Sequence, residues 1–371
     1  MAKIFDVCIR GDGIVGRSLA LLLARERLRV ALVTQPAPAA GKDVRAYALN
    51  AASRDLLMQV RAWPEGPAVT PVSQMRVWGD SGGQLDFIEP AAGAAGESAA
   101  ALAWIVDVPS LEQELAQALR FAPEVERIAS PADAKAALTV VCEGHKSSSR
   151  REFGAAWSVK PYAQKAVAAR LLSDRPHGGV ARQWFGQGQV LALLPMSGAD
   201  GKALALVWSV PLARAEALEK MSADELLAAL HEVCGNEAGT LSVSSPVASW
   251  PLNLSRAERW VGPGWALAGD AAHTVHPMAG QGLNLGLADA RALACTLKAR
   301  EYWRSLGDEK LLRRYERARK ADVLAMVTLT EGLHGLFEHS DARWQALRNW
   351  GMKGVERSGP LKAWLTRQAT G

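Results

Sequence analysis

The chain changes texture several times along its length. Residues 4–9, IFDVCI, form a short apolar run that halts at RGDGIVG, and beyond it Val15, Leu19, Leu22 and Leu23 recur at helical spacing. That order predicts strand, tight turn, helix. A second apolar run, RVALV at 29–33, completes a β-α-β unit of the usual size, about 30 residues. Two more runs have strand character, ALTVVC at 137–142 and WALAG at 265–269, and each ends in a step that pairs an acid with a glycine, Glu143-Gly144 and Gly269-Asp270. Residues 74–89 and 180–210 read differently, as strands joined by Gly-rich turns. They predict a mainly antiparallel sheet inserted within the α/β framework. From Gly282 onward the period is helical: Leu283, Leu287, Ala290, Leu293 and Leu297 share one face, and the C-terminal third is mostly helix.

The expected fold class is therefore α/β, a Rossmann-like domain interleaved with an antiparallel sheet domain and followed by C-terminal helices. Composition agrees with a folded, soluble chain. At 371 residues, 49% hydrophobic and 22% charged, it can bury a full core and is long enough for two domains. The net charge of +5 is mild and densest at 298–320 and 353–367. Such stretches read as solvated helix faces rather than a nucleic-acid site, with an acidic membrane surface or protein partner left open. Cys8, Cys142, Cys234 and Cys295 show no Cys-x-x-Cys pair, so neither a disulfide framework nor a metal site is expected, which fits a reducing cytoplasm. The N-terminus enters a strand directly, without a secretory signal. No run of about 20 predominantly apolar residues is present to span a bilayer, so any membrane contact is expected to be peripheral.

Candidate chemistry begins at Gly11-x-Gly13-x-x-Gly16, between strand and helix. Such a turn lets a pyrophosphate approach the backbone at a helix N-terminus, where free N–H groups and the positive dipole end favour an anion. A purely structural strand-to-helix turn has the same pattern. Two features depart from the standard arrangement: Asp12 puts a negative charge in the loop, and the acid expected after the second strand is replaced by Thr34 or Gln35. A neutral acceptor there bonds a ribose hydroxyl more weakly than a carboxylate does.

The stretch GDAAHTVHPMAGQGLNLGLADA, 269–290, is the most specific block. With it the chain resembles the class A flavoprotein aromatic hydroxylases of the p-hydroxybenzoate hydroxylase fold, and is most similar to the ubiquinone-biosynthesis hydroxylases. Supporting blocks follow in the family's order: DVRAYALNAAS at 43–53, GQVLALLPM at 188–196, ALVWSVP at 205–211, WPLNL at 250–254 and a C-terminal segment at 347–371. The resemblance implies FAD-binding segments 1–73, 91–160 and 255–300, substrate-domain segments 74–90 and 161–254, and a helical region 301–371. It implies FAD as cofactor, with Gly269 and Asp270 closing on the ribityl chain. A carboxylate just past a strand end in an open α/β sheet also points into the ligand crevice. Pro277 and the Gly280-Gln281-Gly282 turn are then expected along the flavin ring, with Asn284 a further neighbour. Arg45 matches the arginine beside the flavin that helps guide its movement. His273 and His276 read more readily as hydrogen-bonded structural residues than as proton carriers.

CEGHKSSSR, 142–150, matches the motif that serves both FAD and pyridine nucleotide, through Gly144, Ser147 and Arg150, with Glu143 in place of the usual aspartate. Asp12, Thr34 and Glu143 together predict FAD binding weaker than is usual for the family. The implied reaction is ring hydroxylation of a polyprenylated phenol using NADPH or NADH and O2. Trp184, Phe185, Leu194, Pro195 and Met196 are candidates either to line the substrate cavity or to form plain core, and no general base is assigned. The implied setting is cytoplasmic, with the basic C-terminal region available for peripheral contact with the membrane's inner face or with a biosynthetic complex. A class A hydroxylase of a soluble aromatic compound and a weakly flavin-binding assembly component are the competing readings.

Overall fold

The computed structural model describes residues 3–34, 43–79, 83–88, 101–275 and 281–338. Gln35, residues 91–100, His276, Pro277, Gly280 and the block at 347–371 lie outside them.

The first sheet has six strands: β1 (Lys3–Arg10), β2 (Val30–Val33), β8 (Val125–Ile128), β9 (Ala134–Val141), β16 (Val261–Gly262) and β17 (Trp265–Leu267), in the order β16-β17-β9-β1-β2-β8. Strands β17, β9, β1, β2 and β8 run parallel, and only the β16–β17 hairpin is antiparallel. Helices α1 (Ile14–Arg25), α3 (Val108–Arg120), α7 (Gly282–Lys298) and α8 (Glu309–Glu338) pack with this sheet in one apolar core. All four residues of β2 are buried: Val30 and Leu32 face the helices, and Ala31 and Val33 face a smaller apolar cluster formed by the strands themselves. The helical face read from sequence on α7 is buried at all five positions.

The second sheet has nine strands: β5 (Gln74–Trp78), β6 (Gln84–Ile88), β10 (Trp157–Ser173), β11 (Val180–Gly186), β12 (Gln189–Met196), β13 (Ala203–Pro211), β14 (Leu241–Val243), β15 (Ala248–Ala257) and β18 (His273–Thr274). It is antiparallel except where β11 meets β5. Because side chains alternate across a strand, β11, β12 and β13 each serve two cores. On one face Trp184, Leu191, Leu193, Leu204, Leu206 and Trp208 pack with α5 (Leu212–Leu218) and α6 (Ala223–Cys234). On the other, Ala181, Leu194, Met196 and Ala205 meet a small third sheet. Burying a side chain of the size of Leu or Met contributes roughly 1.5–3 kcal/mol, so the alternation fixes register strongly.

The third sheet, β3 (Ala46–Leu49), β7 (Ala103–Asp107) and β4 (Val69–Val72), was not expected from the pattern. Strands of four or five residues, partly buried, carry too few positions for a period to show. Among the described residues two further short α-helices are α2 (Ala51–Gln59) and α4 (Ser149–Glu152).

Candidate active site

Four of the singled-out stretches meet at one end of the parallel sheet. Gly11 follows β1, Thr34 follows β2, Cys142-Glu143 follow β9, and Ala268-Gly269-Asp270 follow β17. These are all carboxyl ends, where open α/β sheets bind ligands. The strand ends are knitted together: the Cys142 N–H donates to the Arg10 carbonyl at 2.7 Å, and the Ala268 N–H to the Val141 carbonyl at 3.0 Å.

The glycine turn is shaped for close approach. A Cβ on Gly16 would lie 2.0 Å from the Gly11 carbonyl oxygen, whereas one on Gly13 meets nothing within 4 Å. The fit at Gly16 seats α1 against the turn, and the open side of Gly13 leaves room for a ligand. Gly13 is the N-cap of α1 and supplies no side-chain cap; α7 likewise starts without one. Two helix N-termini thus keep first-turn N–H groups clear of side-chain caps, the arrangement an anionic cofactor needs.

The departures noted in the sequence have local partners. Asp12 lies 3.7 Å from the Arg17 guanidinium, which offsets part of its charge. The Thr34 hydroxyl points toward the Ile128 carbonyl at 3.4 Å. Glu143 accepts from the Ser147 hydroxyl (2.8 Å), the Ser149 N–H (3.0 Å) and the Ser149 hydroxyl (2.6 Å). Burial alone would raise its pKa, but these bonds and nearby Arg10 outweigh it and hold the carboxyl below its ordinary value. Its longer side chain therefore braces the 144–149 loop rather than reaching into the cleft. Arg150 crosses from that loop to the neighbouring turn. It donates to the carbonyls of Ala271 (3.1 Å) and His145 (2.9 Å) and lies over the Trp157 ring at 3.5 Å.

Asp270 is exposed at the cleft floor. Protein crowding its remaining sides removes water and raises its pKa, opposed by His273 and His145. Tyr47 also senses it: burial chiefly raises the phenol pKa, Arg45 opposes this and Asp270 adds to it. Arg45 is held by Asp43 through three contacts of 2.6–3.0 Å, which stabilise its charge and raise its pKa. Beside it an open hollow of about 580 Å³ is lined by Asp43, Val44, Pro109, Glu112, Arg170, Ser244 and Ser245.

Asn284 sits in the first turn of α7, buried. Its oxygen accepts from the Asn50 N–H (3.1 Å) and the Ser53 hydroxyl (2.7 Å), and its NH2 donates to Ala48 (2.9 Å) and Gln281 (3.3 Å). That is the full capacity of an amide; it fixes the α7 start against α2 and offers no free donor. His273 is buried, hydrogen-bonded to Asp289 at 2.7 Å and stacked on Trp260, in line with the structural reading. Among the substrate candidates, alternation separates two pairs. Leu194 and Met196 face the third sheet, whereas Trp184 stacks on Trp78 at 4.7 Å in the helix-side core. Pro195 pairs with Leu204, on that same helix side. Trp184 and Pro195 thus take the second of the two places left open for them, the helix-side core.

Sequence reasoning missed Asp289, Arg319, Tyr47 and Trp260. Asp289 had a signal: an acid on an otherwise apolar helical face. Among the described residues no His, Cys, Asp and Glu side chains converge as a metal site.

Compared with known proteins, the chain matches the FAD binding domain family over residues 97–330. It is 31% identical to the ubiquinone hydroxylase UbiL of Rhodospirillum rubrum, spanning 100% of this chain and 90% of that protein. It is 30% identical to the 3-demethoxyubiquinol 3-hydroxylase of Escherichia coli, spanning 99% and 98%. Among solved structures, p-nitrophenol 4-monooxygenase PnpA of Pseudomonas putida superposes with a TM-score of 0.77 at 19% identity, over 100% of this chain and 99% of that one. At that identity the likeness establishes the fold.

Proposed function

The chain belongs to the FAD-dependent class A flavoprotein hydroxylases, and on that premise we propose that it hydroxylates the aromatic ring of a polyprenylated phenol in ubiquinone biosynthesis, using NADPH or NADH and O2. The observation that carries the site is the convergence of the Gly11–Gly16 turn, the uncapped α1 N-terminus and the Gly269-Asp270 turn at one end of the parallel sheet. Similarity to ubiquinone hydroxylases over essentially the whole chain supports the substrate class.

In this reading the α1 N–H groups and the glycine turn hold the pyrophosphate, Thr34 accepts from the ribose, and Asp270 accepts from the ribityl chain. The α7 N-terminus at Gln281 and Gly282 favours negative charge on the flavin ring, and Arg45 stands beside it. Gly144 serves by its freedom of backbone; Glu143 acts one step back, through its serines. The place of Pro277 and Gly280 along the ring rests on the family resemblance, since both lie outside the described residues. The flavin, when bound, supplies reduction by the nicotinamide and oxygen transfer. The protein's share is to orient the phenol and keep water away; Leu194 and Met196 stay candidates for that task from the face of the large sheet that packs on the third sheet.

The reading is tested by visible spectroscopy of the purified protein before and after FAD is added and excess removed, followed by NADPH oxidation with a prenylated phenol. Retained FAD and substrate-stimulated oxidation are expected. A protein that retains no FAD would instead be an assembly component.

Among the described residues no helix is long and apolar enough to cross a membrane. Surface contact with a membrane is part of the proposal, and one surface suits it. Tyr302 and Trp303 are 95% and 69% exposed and touch edge to face, next to Lys298 and Arg300; amphipathic aromatics beside basic residues suit an anionic lipid interface. Replacing both by Ser is expected to reduce sedimentation with anionic vesicles while leaving FAD retention unchanged. Equal sedimentation of the variant would remove this surface from the proposal.

A further inference from the structure

We infer that Asp289 is a positioning residue of the cofactor cleft: touching no ligand, it fixes the Gly269-Asp270 turn in the shape that presents Asp270. The inference rests on the FAD reading above and adds a residue to it.

Asp289 lies in the middle of α7 and is wholly buried. Its carboxylate gathers three segments. One oxygen accepts from the Gly269 N–H at 2.9 Å and from His273 Nε2 at 2.7 Å, and the other accepts from Arg319 Nε, on α8, at 2.7 Å. Strand pairing explains why the first bond matters. The β17–β9 ladder ends with the Ala268 N–H on the Val141 carbonyl. The next N–H, that of Gly269, leaves the ladder in the interior, and an unanswered buried donor is costly.

Asp289 supplies that partner from the side opposite the cleft. Gly269 adopts φ +63°, a left-handed conformation. The inward N–H and outward Asp270 are two consequences of one backbone shape, since the buried acid pins one peptide and the exposed acid follows directly. Val15 of α1 closes the turn from below, 3.3 Å from where a Gly269 Cβ would stand and 2.7 Å from that of Gly286. The turn is thus wedged between the two helices whose N-termini flank the cleft.

Stability alone is a weak reason for this arrangement. A buried ion pair commonly contributes no more than an apolar replacement of the same size. What the carboxylate does, and an apolar side chain cannot, is accept three hydrogen bonds at fixed angles. His273 and Arg319 hold it ionised against the opposing effect of burial. Trp260 stacks on the His273 ring, and Arg319 also donates to the Leu285 carbonyl at 3.4 Å, so the donors themselves are held in place.

The test compares Asp289→Asn with Leu293→Ala, which deletes a buried side chain on the same helix without touching the turn. Two readouts are used at a temperature where circular dichroism shows both folded: hydrogen exchange of the apo peptide containing Gly269–Ala272, and the FAD dissociation constant. Asp289→Asn must place an NH2 against an existing donor, so it is expected to speed exchange at the turn and weaken FAD roughly tenfold, the equivalent of one good hydrogen bond. Leu293→Ala is expected to lower Tm yet leave both readouts within about twofold, as packing defects do when they spare the site. Should Asp289→Asn fail to fold, Asp289→Glu takes its place: it keeps the charge, displaces it by one methylene, and is expected to show the same pattern. Unchanged turn exchange and FAD affinity in the folded variant, with FAD bound by the wild type, would overturn the inference. A wild type that binds no FAD would overturn the cofactor reading and this one together, and the two failures are told apart by the wild-type titration.

Discussion

Gly16→Ala is expected to lose FAD. The added methyl would sit 2.0 Å from the Gly11 carbonyl oxygen, 3.1 Å from its carbon and 3.4 Å from the Cys142 side chain. Backbone rather than a flexible side chain stands in the way, so α1 must move off β1 or the turn must open. Overpacking of this kind costs typically about 1–3 kcal/mol, and it also displaces the N–H groups offered to the pyrophosphate. Two such charge-assisted bonds, at roughly 1.5 kcal/mol each, correspond to about a hundredfold weaker binding. Gly13→Ala separates the two effects. Gly13 has φ −72° and open space where its Cβ would be, so this variant is expected to keep the wild-type Tm and still bind FAD less well, because that space is the cofactor's. Titration of FAD fluorescence with thermal melts of both variants checks the pair. Full FAD affinity in Gly16→Ala would show that the turn is not the pyrophosphate site.

Asp270→Ala is the second large effect, with opposite consequences for stability and binding. Among the described residues the side chain makes no hydrogen bond that would be lost, and crowding by the cleft raises its pKa. A carboxyl whose folded pKa lies above its unfolded value disfavours folding once pH exceeds the unfolded pKa. Its removal is therefore expected to leave the apo protein as stable or slightly more stable at neutral pH, a gain that fades as pH falls below the ordinary aspartate range. FAD affinity moves the other way, down by about ten- to a hundredfold, as for loss of a hydrogen bond to a charged acceptor. Melting curves across pH together with FAD titrations check both signs. A less stable apo variant with unaltered FAD affinity would make Asp270 a turn residue only.

The expectation of weak FAD binding drew on Asp12, Thr34 and Glu143 as isolated departures. In the fold, Arg17 stands beside Asp12, and Ser147 with Ser149 occupies Glu143. Partners four to six residues on, brought back by a helix turn or a loop, are invisible to a reading that treats each position against its motif. The same limit explains the substrate candidates. Leu194 and Pro195 are neighbours in sequence and equally apolar, yet they serve opposite faces of β12 because the strand's period is two.

The sequence by itself determined the β-α-β start, the interleaved antiparallel sheet, the apolar face of α7 and the stretches that carry the chemistry. Each is a local matter of side-chain period or of glycine at a turn, and local physics is written in consecutive residues. Tertiary structure alone decided which stretches meet. The order β16-β17-β9-β1-β2-β8 brings residues 11, 34, 143 and 270 to one end of one sheet, and folding back α7 and α8 places Asp289 and Arg319 beneath Gly269. An acid on an apolar helix face announces only that it needs partners; which partners arrive depends on how distant segments pack, because burial makes an unpaired charge costly and so favours the arrangement in which Asp289 is answered by Gly269, His273 and Arg319.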